Sequence, residues 1–374
     1  MSLLNRQVLA LAPLSLSLSV CAASSPQAPA TDYPFNAEQL QQVLQPREEL
    51  MRAVSIQYDG QSYDRILASE VGEVDLPNGD TRLDLLIMLA NSSDHIVVLR
   101  VKGFETVFEQ QAECELLLPE GVGYLRSNTS CQLKPNGERY TTHLDNGETV
   151  TFTAKQDAQY IDAFGSIMFK VDPLKSNENT ELRLTSYSAF DPVFEFFGGT
   201  KQPGSLGTAS YLSLKQVLDK YPNKKAVLVI ENSISGSVDD EINMFTGMLL
   251  RQRKVDTYLS YTGQVASGGV DLFSAGYHRT VELAEPNEDI SRSERLGVHS
   301  WYDDETSQEA TEMPYQDIGH YRQASYFTQM LADKGVPFYL YTINAAPAHG
   351  IHYMSRSETE QYRLVNEFVV KPAK

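Results

Sequence analysis

Between about residues 54 and 190, apolar and polar residues alternate in short runs. Examples are RLDLLIML (82–89), HIVVLRVK (95–102), GERYTTHL (137–144) and ETVTFTAK (148–155). A period of two places one face of a strand in a core and the other in solvent. Turn signals separate the runs: Pro77-Asn78-Gly79, Pro135-Asn136-Gly137 and Asp145-Asn146-Gly147. Asn-Gly accepts the positive φ angles of tight hairpin turns. The pattern predicts an all-β, sandwich-like domain over 54–190. From residue 191 to 374 the pattern changes. KKAVLVIEN (224–232) is a continuous apolar run, as a parallel strand covered on both faces requires. SVDDEINMFTGMLLRQRK (237–254) reads as a helix, with acids at its start and bases at its end. VDTYLSY, a short helix ending at Gly276, and RTVELAE follow. This order predicts an α/β domain with a mostly parallel sheet and crossover helices.

The N-terminus follows neither pattern. Arg6 precedes an apolar, Ser-rich stretch over 8–20 that is too short to span a bilayer as a helix. Residues 1–22 therefore read as a secretory signal, which places the mature chain in the periplasm. LSVC also suggests a lipidation site, with a lipid anchor at Cys21 as the second option. Residues 23–53 read as a linker followed by a short helix, interrupted near Pro46. No later segment is long and apolar enough for a transmembrane helix.

The formal net charge of −18, with no Lys/Arg run, argues against nucleic acid as a partner. Apart from Cys21, the chain has Cys114 and Cys131. Two cysteines in an oxidising compartment are expected to form a disulfide. No metal site is expected: His349 and His352 stand three apart beside Pro347 with no third ligand in view. His95 and His143 read as strand residues.

Chemistry concentrates in the second half. Ser267 lies between Ala266 and Gly268-Gly269, where a strand ends and a helix begins. Serine is a preferred helix N-cap, so capping alone would account for it. A reactive hydroxyl needs the same small neighbours. Gly236 occupies a second strand-to-helix turn, and its N–H, with that of Gly268, could hold an oxyanion. His299 follows an apolar, strand-like segment and could serve as general base. A Ser-Lys pair would require one of Lys224, Lys225 or Lys254, which sit at element ends. Trp301 and Tyr302 either line a cleft or complete a core.

Three stretches, NSISGSVDDEI (232–242), GQVASGGVDLFSAGYHR (263–279) and RLGVHSWY (295–302), occur in the order of the oxyanion loop, nucleophile turn and histidine strand of ClpP-type serine peptidases. The tail MSRSETEQYRLVNEF (354–368) resembles that family's closing segment. The resemblance, closest to secreted ClpP-like proteins of bacteria, covers roughly residues 191–370 and implies a ClpP/crotonase fold. It implies a serine hydrolase without a cofactor, acting on a peptide or protein and assembling into homo-oligomers. Ser267 matches the nucleophile, His299 the base, Gly236 and Gly268 the oxyanion positions, and Asn232 and Ser233 the start of the oxyanion loop. His278 and Arg279 match a segment with a structural role. Two features depart from the family. Ile234 and Ser235 replace Pro and Gly in the oxyanion loop. Ile351 falls where the orienting Asp is expected, leaving a Ser-His dyad or an acid from among Asp303, Asp304 and Asp317. The alternatives are a catalytically silent module of the same fold and an acyl-CoA enzyme of the crotonase type.

Overall fold

A computed structural model describes residues 28–120, 123–173, 181–196, 203–303 and 306–372. The expected signal over 1–22, including Cys21, lies outside the described residues, as does Asp304. The chain is mixed α/β with several sheets.

The β-rich half holds a four-stranded and a five-stranded antiparallel sheet. Gly79, Gly137 and Gly147 all take positive φ at the turns named above. Ile56, Phe152, Ile66, Leu85, Leu99 and Leu116, drawn from both sheets, belong to one apolar cluster. Cys114 and Cys131 lie on neighbouring strands and are joined by a disulfide with Cα atoms 5.8 Å apart. They close a loop with a sequence separation of 17. Reduction is expected to lower stability by about 3 kcal/mol, from chain entropy alone. Urea unfolding with and without reductant checks this; coincident transitions would count against it.

The second half contains two further sheets. The larger runs in the order Ile167–Val171, Glu181–Ser188, Lys225–Ile230, Asp256–Leu259, Arg279–Leu283 and Glu367–Val370. Its first pair is antiparallel and the rest are parallel. The smaller runs Gly204–Leu206, Ser233–Ser237, Gln264–Ala266, Leu296–Val298 and His352–Tyr353, parallel except for the last pair. From Glu181 on, among the described residues, the chain lays one strand in the large sheet and then one in the small sheet, four times over. A helix follows each of the first three such pairs: Thr208–Lys220, Asp240–Gln252 and Gly268–Ser274. Leu228, Ile230, Leu259, Val265, Phe273 and Val281, all within 1 % of full burial, share its core.

Four sequence expectations need correcting. The strands at 167–171 and 181–188 fall in the half expected to be all-β. Yet residues 181–185 pair with 225–229 of the parallel sheet. A fragment starting near residue 190 would lack both strands. The linker is also less free than its composition suggests. Tyr33 is buried, its N–H donates to Ser325 Oγ at 3.0 Å, and the Phe35 ring meets Phe245. Pro46 does not interrupt the first helix, which runs Ala37–Leu50. Packing of Val43, Leu44 and Leu50, together with ion pairs from Arg47 to Asp239 and Glu241, outweighs the missing donor. Finally, the helix expected over 237–254 runs only Asp240–Gln252, with Asp239 as its N-cap, and leaves Val238 before it exposed.

Candidate active site

The small sheet positions the candidate residues. Gly236 lies in the strand Ser233–Ser237, Ser267 directly follows Gln264–Ala266, and His299 directly follows Leu296–Val298. These three strands are neighbours and parallel. Their C-terminal ends therefore gather at one edge, where open α/β sheets bind ligands.

Ser267 has φ 50° and ψ −126°, outside the ordinary helical and extended regions. Such a conformation costs on the order of 1–3 kcal/mol in a non-glycine residue and persists only where the surroundings impose it. Here they do. The Ser267 N–H donates to Gly297 O at 2.9 Å, and its carbonyl accepts from Val270 N–H at 2.8 Å. The hydroxyl makes no capping hydrogen bond to the helix it precedes. Capping, the simple account of a serine at this position, does not explain it.

The glycines have steric reasons. A Cβ on Gly268 would lie 2.3 Å from Ser237 Oγ and 2.9 Å from Asn243 Nδ2. A Cβ on Gly236 would lie 3.2 Å from Ser267 Cβ. The Gly236 backbone thus approaches the Ser267 side chain closely, while Gly268 packs against Ser237 and Asn243. The Gly268 N–H opens the helix and has no intrahelical acceptor. Asn243, buried to 1 %, holds the Gly268 carbonyl at 2.9 Å and so turns that peptide.

His299 shares a cleft of about 40 Å³ with Ser267, Gly268, Asp240, Asp271 and Trp301. Its Nδ1 lies 2.6 Å from Ser300 O. A carbonyl only accepts, so Nδ1 carries the proton and Nε2 is left as the basic nitrogen. Ser267 and His299 are brought together, but no hydrogen bond joins their side chains among the described residues. Polar side chains line the cleft together with Val298 and Trp301.

Of the acids expected to orient His299, Asp303 and Asp317 make other contacts. Asp303 accepts from Thr306 N–H at 2.7 Å, and Asp317 caps the helix Ile318–Leu331 through Gly319 N–H at 2.7 Å. Asp304 lies outside the described residues. Ile351 sits over Gly297, where a Cβ would meet its Cδ1 at 2.5 Å. The tautomer is fixed by a main-chain carbonyl instead.

Two carboxyls that the sequence did not single out line the cleft, Asp240 and Asp271. Asp240 accepts from Ser237 Oγ. Burial pushes Asp240 above the usual carboxylate range; the Ser237 bond and His299 oppose this, and Asp239 adds to it. Burial, then the charge of Asp240, holds Asp271 well above that range. Asp240 presents surface to the cleft and Asp271 is half-buried, so solvent reaches both despite the dense protein around them. Asp271 is the one held further up. The folded state keeps this proton at a pH where the unfolded chain releases it, so stability is lost as pH rises above the unfolded value. Asp271→Asn is therefore expected to raise the unfolding temperature at about pH 8 and leave it nearly unchanged at about pH 3. A thermal melt at each pH decides, and an equal change at both would contradict the displaced titration.

The remaining candidates fall elsewhere. His352 Nε2 lies 3.1 Å from Glu358 Oε1, and the His349 ring packs on Tyr302, so the two histidines do not converge. Among the described residues no group of three or more His, Cys, Asp or Glu could hold a metal. Lys225 pairs with Asp256 and Glu181, Lys254 lies over Tyr277, and neither these nor Lys224 lines the cleft. Arg279 is buried and donates to the carbonyls of Leu364, Gly276 and Arg363. Trp301 lines the cleft while its Nε1–H donates to Tyr339 OH at 3.1 Å.

No family model matches the chain. No curated protein matches it. Among solved structures it is similar to a putative enoyl-CoA hydratase from Streptomyces avermitilis, at 13 % identity and a TM-score of 0.32, covering 54 % of this chain and 68 % of that one. It is similar also to an enoyl-CoA hydratase from Bacillus anthracis, at 12 % identity and a TM-score of 0.32, covering 54 % and 70 %. Both likenesses are weak, and the reading of the cleft rests on its own geometry.

Proposed function

We propose that the chain is a serine hydrolase of ClpP-like type, acting on a peptide or protein, with Ser267 as nucleophile and His299 as base. One observation carries the reading. Ser267 is held in a strained conformation, caps nothing, and opens into a cleft shared with a histidine of defined tautomer. Strain that persists at such a turn belongs to sites where a side chain must be displayed. In the proposed reaction Oγ attacks the substrate carbonyl and its proton passes to His299 Nε2. The Gly236 and Gly268 N–H groups receive the oxyanion. The leaving amine takes the proton from His299, and water releases the acyl group by the same steps in reverse order. The Ser267–His299 hydrogen bond would form on substrate binding, as catalytic bonds often tighten only then. The periplasmic location proposed for this activity rests on the N-terminal sequence.

A second reading is a silent module of the same fold. The absence, among the described residues, of a Ser267–His299 hydrogen bond and of an acid bonded to His299 favours it. A fluorophosphonate probe, which needs a reactive serine but no known substrate, separates the two. The hydrolase reading expects labelling of the wild type and none of Ser267→Ala. An inert wild type that is fully folded would favour the silent module.

A further inference from the structure

Among the described residues the strand Arg65–Asp75 is an edge of its sheet, with Thr81–Ala90 as its one strand partner. Its first part is covered on the outer side, where Ser69 N–H donates to Gly165 O at 3.0 Å. Beyond the strand, Leu76 N–H donates to Asp80 O at 2.8 Å, toward the partner strand. Main-chain groups alternate sides along an antiparallel strand. Counting from either bond, the N–H and C=O of Val71 and Glu73 point away from the sheet. Among the described residues they make no hydrogen bond. A Cβ on Gly72, between them, would meet nothing within 4 Å. Glycine inside a strand often marks a place where another backbone comes close.

This open edge borders a cavity of about 400 Å³, lined by Glu70–Val74, Leu86, Phe190 and Ser235 among others. Charge is unevenly matched there. Asp84 is engaged by Arg82 and Arg100. Among the described residues no cation pairs with Glu70. Its Oε2 accepts from Ser205 N–H at 3.0 Å, Ser205 Oγ at 2.8 Å and Ser166 Oγ, and its Oε1 makes no hydrogen bond among the described residues. The cavity also adjoins the reactive serine through the backbone. Ser235 lines it, and the next residue, Gly236, touches Ser267. Ser205, held by Glu70, is the ladder partner of Gly236. At a strand spacing of about 4.8 Å, Glu70 and Ser267 are on the order of 10 Å apart, or about three residues of extended chain.

We propose that a segment of the substrate docks as an added strand along Val71–Val74, with a lysine or arginine side chain directed to Glu70. Main-chain hydrogen bonds would supply affinity, and the acid would supply preference. This rests on the hydrolase reading for the word substrate alone, since docking itself needs no reactive serine.

The test uses the mature full-length protein and an end-blocked, fluorescein-labelled nonapeptide of alternating valine and threonine with one central arginine. Fluorescence anisotropy is expected to show saturable binding. Methylating alternate amide nitrogens in one phase should weaken it at least tenfold, and in the other phase much less. Val71→Pro and Glu73→Pro each remove an outward N–H and leave the ladder intact, so each should weaken binding tenfold with little change in melting temperature. Glu70→Gln should erase the preference for arginine over norleucine in the peptide. Equal binding by both methylated peptides, or wild-type binding by both proline variants, would overturn the proposal. So would absence of saturable binding. Fluorophosphonate labelling is read separately: labelling without peptide binding sinks this inference alone, and binding without labelling sinks the hydrolase reading alone.

Discussion

Arg295→Ala is expected to destabilise the second half by about 3–5 kcal/mol, because it breaks a buried ion pair and leaves its partners unsatisfied. Arg295 is 2 % exposed and pairs with Glu288 at 3.0 Å. Its guanidinium also donates to Gly263 O at 2.8 Å, to Glu282 O at 3.1 Å and to Ser260 O. These carbonyls belong to the segment leading into the Ser267 strand and to the end of the strand Arg279–Leu283. Arg295 itself leads into the strand that carries His299. One side chain thus ties together the chain segments that aim the serine and the histidine. With total stabilities of about 5–15 kcal/mol, the loss is a large fraction of the whole. Arg295→Lys keeps the charge but loses the planar fork, so an intermediate loss is expected. Urea unfolding followed by circular dichroism measures both. A loss below about 1 kcal/mol for the alanine variant would mean that water replaces the guanidinium at little cost.

His299→Ala is expected to slow fluorophosphonate labelling by about 10²–10⁴-fold, the usual worth of a positioned general base. Stability should change little, within about 0.5 kcal/mol, because the ring is partly exposed and its one hydrogen bond among the described residues is to Ser300 O. Stopped-flow or gel-based labelling rates, with a thermal melt on the same samples, check both parts. A folded variant that labels at the wild-type rate would remove His299 from the reaction.

Much of this arrangement was legible in the chain. The Asn-Gly turns and the alternating runs marked the antiparallel strands, because a period of two and positive φ are local properties. The order of Gly236, Ser267 and His299, each after an apolar run, signalled three strand ends. What was missed depended on tertiary pairing. The strands 233–237, 264–266 and 296–298 have three to five residues, too few to show a period, so the separate small sheet was invisible. Strands 167–171 and 181–188 alternate like their predecessors, and nothing local tells which sheet will receive them. Asp240 was explained by its place at a helix start, which is true but incomplete. Asp271 gave a signal that was available: an acid four residues after Ser267 in the otherwise uncharged stretch GGVDLFSA. Residues four apart at a helix start share a side, so the carboxyl had to fall near the cleft. At Ile351 the resemblance offered no acid, and the carbonyl beside His299 Nδ1 could not be read, since backbone orientation leaves no trace in residue identity.

The most direct test of the central claim is the position of the adduct. Wild-type protein treated with a fluorophosphonate, digested and analysed by mass spectrometry, is expected to carry one modification, on the peptide containing Ser267. Ser267→Ala should carry none. An adduct on a different serine, or a folded wild type that takes up no probe, would contradict the assignment of Ser267 as the nucleophile.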